Sequence, residues 1–173
     1  MKFLQLVLVA AFSLTYFAVS ADAQRRTTRR PPAPKVVRTT TVPQPAATSL
    51  KAGSEKVSIQ IKNVTKFLYL LGGVASGIEG IDKDPRANQA AKNANEENKR
   101  AVMQTIRNLR AGLAALEVEF RTNPALKPHL VHIQGIADLT GETELLANAG
   151  KFTESGKPLL RVVERLSDTL AAL

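Results

Sequence analysis

Residues 49–173 predict an all-α fold on three observations. Apolar side chains recur in alternating steps of four and three, the heptad rhythm of helices that bury one stripe. No segment alternates with a period of two, and even the β-branched stretch Val57 to Val64 fits the helical rhythm. The links between stripes are short and carry turn chemistry at Asp84-Pro85, Asn123-Pro124 and Gly150. Together they predict an antiparallel four-helix bundle of up-down connectivity with coiled-coil-like packing. Ahead of it the sequence predicts a signal peptide over residues 1–23 and a disordered, basic, proline-rich arm over residues 24–48.

The first helix is expected from near Ser54, a suitable N-cap, with a seam of Val57, Ile61, Val64, Leu68, Leu71, Ala75 and Ile78. The second is expected to begin with Asp84 as cap and Pro85 in the first helical position. Its seam is Val102, Ile106, Leu109, Leu113, Leu116 and Phe120, and Asn123-Pro124 closes it. The half from Pro85 to Arg100 has no large apolar residue, so it is expected to project beyond the bundle, pack thinly by alanine, or fray. The third helix carries Leu126, Leu130, Ile133 and Ala137 toward Leu145 and Leu146. Pro128, Gly135 and Gly141 interrupt it, which favours two shorter pieces. After a stop at Gly150, the last helix is expected from about Lys157, with a seam of Leu159, Val163, Leu166, Leu170 and Leu173.

The N-terminal segments predict a compartment. Lys2 precedes a 17-residue apolar run, Phe3 to Val19, and Ala21-Asp22-Ala23 is a small-x-small cleavage site. Cleavage after Ser20 is the alternative. The run includes Gln5, Ser13 and Thr15 and falls short of the ~20 residues that a spanning helix needs. A secreted or periplasmic location follows as the expectation. The chain has no cysteine, which excludes a bacterial lipoprotein, a disulfide framework and thiolate metal sites.

Charge is unevenly placed. The formal net charge is +9, yet residues 49–173 hold 17 basic and 14 acidic side chains. The excess sits in the arm: Arg25, Arg26, Arg29, Arg30, Lys35 and Arg38 stand there with no acidic residue. Pro31, Pro32, Pro34, Pro43 and Pro45 favour extended conformations that bury little surface. Such an arm is expected to bind an anionic cell-envelope or extracellular polymer through salt-sensitive attraction, or to act as a solvated spacer. Export argues against nucleic acid as partner.

Chemistry-bearing motifs are scarce. No phosphate-binding loop follows a strand, and Ser, His and Asp occur in no nucleophilic order, so the expectation is a non-enzymatic protein without cofactor. Phe67 to Ile78 contains no charged residue, and Gly73, Gly77 and Gly80 form a bare stripe roughly opposite the core seam. Phe67 with this stripe is therefore the candidate surface for a partner helix, or for lipid or a small apolar ligand, while the helical seams offer pairing between chains in a homo-oligomer. The competing reading makes helix one a central helix covered by its neighbours. His129 and His132 share a helical spacing suited to a metal pair, with Glu117 and Glu119 across the turn as further ligands. Three function readings result: an exported binding or assembly protein, a carrier of lipid or small apolar ligand using Phe67 to Ile81, and a metal-binding bundle.

Overall fold

A computed structural model describes residues 46–173; the expected signal peptide, the six basic arm residues and the arm itself as far as residue 45 lie outside them. The regular elements among the described residues are all helices, without strands. Helix α1 spans Ala46–Lys83 and α2 spans Gln89–Thr122. A short 3-10 turn, Lys127–His129, leads into α3, Leu130–Ile133. Helix α4 covers Ile136–Asn148 and α5 covers Phe152–Ala172.

The helices form a bundle in which α1 packs on α2 and α5, and α4 packs on the same two. Cross-helix contacts fix the directions. Lys56 reaches Glu119 while Asn95 reaches Ile78, so α1 and α2 run antiparallel. Glu142 meets Arg161, and Gln134 accepts from Arg165, which sets α4 antiparallel to α5. The centre is apolar: Val57, Val64, Ile106, Leu113, Phe120 and Leu166 are among the fully buried side chains.

The seam expected for α2 is buried in full, and Asn123 caps its end as expected. In α1, Val57, Val64, Leu71, Ala75 and Ile78 are buried, Ile61 and Leu68 half-buried, and Phe67 joins the core. Gly150 stops α4 at positive φ, with its own N–H on Ala147 O and the Lys151 N–H on Leu146 O, the paired bonds of a Schellman end. Gly135, φ 89°, makes the break between α3 and α4, whereas Gly141 stays helical.

Three boundaries differ from expectation. Helix α1 begins at Ala46, within the stretch assigned to the arm, and Ser54 lies inside it with its hydroxyl donating to Lys51 O. Inside the helix the N–H groups that a cap would satisfy are already bonded to the preceding turn. Asp84 is likewise not the cap of α2. Its carboxylate accepts from the Arg86 N–H to close a turn, and the cap is Asn88, whose Oδ1 accepts from the Ala91 N–H at 2.8 Å. Helix α5 starts five residues before Lys157, and Pro158 sits within it. The added turn is anchored by buried Phe152 and by Glu79 of α1, whose carboxylate accepts from the Thr153 N–H at 2.8 Å. The α5 seam is Leu159, Val162, Leu166 and Thr169, while Val163 is only half-buried and Leu170 is exposed.

Residues 89–99 meet α1 through a polar contact instead of an alanine face. Asn95 is 2 % exposed, and its amide donates to Ile78 O at 3.1 Å and to Asp82 Oδ1 at 2.9 Å. Lys99 joins them, bridging Asp82 at 2.6 Å and Glu96 at 2.9 Å. Hydrogen bonds to both carboxylates raise the Lys99 pKa above its ordinary value. This small network holds the amino-terminal part of α2, where apolar anchors are lacking.

Candidate functional site

The outward face of α1 is the candidate site. Its inner side is pinned by Phe67, Leu71, Ala75 and Ile78, so Tyr69 and the glycines about a half-turn away point to solvent, while Leu70 and Val74 lie on the flank. Tyr69 is 82 % exposed, Ile59 52 %, and Leu70 and Val74 40 % each. Beside them Gly73, Gly77 and Gly80 have open space where a Cβ would stand. Helix α1 is therefore not a central helix covered on all sides. The sequence-predicted stripe is brought to the surface, but Phe67 is not part of it: at 5 % exposure it belongs to the core.

The stripe borders a groove between α1 and α5. Leu68, Gly72 and Ala75 of α1 and Phe152, Gly156 and Leu160 of α5 line it, and its volume is about 240 Å³. Gly156 leaves room in it, because a Cβ there would touch Leu68 and Leu71 of α1. Ser76, Thr153 and Lys157 supply the polar edge. The groove is open to solvent and smaller than the ~300–1,000 Å³ of typical small-molecule sites.

From Ile59 to Ile78 the charges on the face are of one sign, with exposed Glu55 one turn before Ile59. From Lys56 to Ile78, α1 contains no acidic residue. Lys56 is engaged with Glu119 at 2.6 Å. Lys62 and Lys66 are exposed and make no ion pair among the described residues. Glu79, the next acid along, is turned toward α5, where the Thr153 N–H holds its carboxyl below the ordinary value. The outer face thus carries Lys62 and Lys66 midway along α1 and is uncharged from Phe67 to Ile78.

The histidines do not form a centre with the nearby carboxylates. His129 closes the 3-10 turn half-buried, and His132 is exposed on α3. Glu117 accepts instead from the Ala137 N–H at 3.0 Å, and Glu119 holds Lys56. No group of three or more metal-ligating side chains occurs among the described residues. Elsewhere Glu144 receives Arg107 at 2.9 Å and Arg110 at 3.1 Å, and these guanidinium groups lower its pKa.

Two features escaped the reading of the sequence. The exposed aromatic Tyr69 is one residue from the seam position Leu68, and only the three-dimensional arrangement shows how far it stands out. Asn95 was hidden because it is polar at a core position, with its Oδ1 left without a donor. No protein-family model, no curated protein and no solved structure matches the chain.

Proposed function

We propose that the protein is an exported, non-enzymatic binding or assembly module, an up-down four-helix unit with coiled-coil-like seams. Its basic arm holds it to an anionic envelope or extracellular component, and the outer face of α1 makes the specific contact. The observation that carries this reading is the open α1 face, where exposed Tyr69, Leu70 and Val74 stand beside bare glycines with no charge between Lys66 and Glu79. Apolar surface of this kind on a helix that already has a complete inner seam serves contact better than folding. A carrier would need an enclosed apolar volume, and the open groove of about 240 Å³ supports docking more than enclosure.

The arm is tested by deleting residues 24–45, which leaves Ala46 and the start of α1 intact. Helix content is expected to stay unchanged while retention on native envelope material falls and loses its salt dependence. The face is tested with the arm in place by Tyr69→Asp, which is expected to weaken the same retention without loss of helicity. Equal retention of both variants and the unaltered chain at low salt would refute the proposal.

A further inference from the structure

We infer that the occupant of the α1 face is an anionic lipid surface, on which α1 lies in the plane of the interface. The inference rests on the binding reading above and gives its partner a chemistry. Helix α1 is long and apolar enough over an 18-residue window to match a membrane span by length and composition, yet only 28 % of that window is buried. A core helix with that composition would be mostly covered. This one leaves much of its apolar surface to solvent while its inner side is fixed by Val57, Val64, Leu71 and Ile78. Fixed on one side, it cannot leave the bundle to cross a bilayer without giving up the core, but it can rest its outer side on one.

Charge selects this occupant. Lys62 and Lys66 stand on the exposed face without acidic partners, and Lys157 edges the adjoining groove. The arm adds six further positive charges in the sequence. A second copy approaching in parallel would set Lys62 and Lys66 against themselves, and a partner helix would need acids in register with them. Anionic headgroups answer the lysines without any register. Tyr69 is the residue type that favours the boundary between headgroups and acyl chains, and Leu70 flanks the same outer side. The glycines keep the helix backbone close to the lipid plane, so these few side chains suffice for contact.

The chain has no tryptophan, so Tyr69→Trp in the full chain gives a single emitter on the face itself. With phosphatidylglycerol vesicles its emission is expected to move to shorter wavelength and to be quenched by brominated lipid, with neither effect for phosphatidylcholine. Lys62→Gln and Lys66→Gln are each expected to weaken the response about five-fold, on the order of 20-fold together. Three outcomes overturn the inference. The chain can sediment with vesicles while Trp emission stays unchanged, which assigns binding to the arm alone. It can fail to sediment. Its emission can shift with protein concentration before lipid is added, which assigns the face to a second copy. None of these decides the broader binding reading, which stands or falls on retention by native envelope material in the Tyr69→Asp and arm-deletion comparisons.

Discussion

Replacing Gly73 and Gly77 by alanine should make the protein more stable, and the gain measures whether the α1 face is free. A glycine inside a helix costs about 0.8–1.0 kcal/mol relative to alanine because it surrenders more backbone freedom on folding. At both positions an added Cβ meets nothing within 4 Å, so no packing penalty offsets the gain. The double variant should gain about 2 kcal/mol. With an unfolding entropy of roughly 2.1 cal/mol/K per residue over about 130 residues, that corresponds to a rise in Tm of about 7 °C. Gly53 is the internal contrast. A Cβ there would lie 2.5 Å from Cδ2 of Leu126, which is itself fully buried and has nowhere to retreat. Gly53→Ala should therefore lose stability, because about 1–3 kcal/mol of overpacking outweighs the propensity gain. Thermal and urea unfolding followed by circular dichroism at low protein concentration separates the two cases. A loss of stability in Gly73→Ala/Gly77→Ala would refute the reasoning, since it would mean that another backbone covers the stripe.

The same unfolding assay should show Phe120→Ala costing about 3–5 kcal/mol, because its side chain is fully enclosed between the helices. Asn95→Ala should accelerate amide exchange in residues 89–98 while leaving the exchange of Ile106 and Leu113 unchanged, because Asn95 is the buried tie between this segment and α1. Uniform acceleration along α2 would count against a local role. Glu79→Gln should flatten the acid limb of the stability profile. The folded carboxyl titrates below the ordinary 4.5 because it accepts the Thr153 N–H, so its contribution is present above that value and is lost as pH falls through the lower folded pKa. An unaltered acid limb in the variant would remove Glu79 as the link between α1 and α5.

The α-only composition and the central seam of α2 were legible because large aliphatic residues recur there without interruption. Helix ends were less legible. Asp84-Pro85 has the residue types of a helix start, but Asp84 spends its carboxylate on the Arg86 N–H, and the cap passes to Asn88. The sequence places the start of α5 at about Lys157, yet a cap supplied by another helix carries that element back to Phe152. No local pattern can announce a partner 74 residues away. The inner side of α4 was obscured because Thr140 and Thr143 fill core positions, where each satisfies its hydroxyl on the carbonyl four residues back. Of the candidate site, the glycine stripe and its orientation were readable from helical spacing. The side-by-side placement of that stripe, Tyr69 and the α5 groove required the tertiary arrangement, and Phe67 was assigned to the face though it belongs to the core.

Because the chain contains no cysteine, single-cysteine labelling tests the open face most directly. Tyr69→Cys and Gly77→Cys should react with a soluble maleimide nearly as fast as a free thiol. Leu71→Cys and Ile78→Cys, on the opposite side of the same helical turns, should react at least ~100-fold more slowly, through opening of the bundle. Slow labelling at all four positions in the dilute protein would contradict the account.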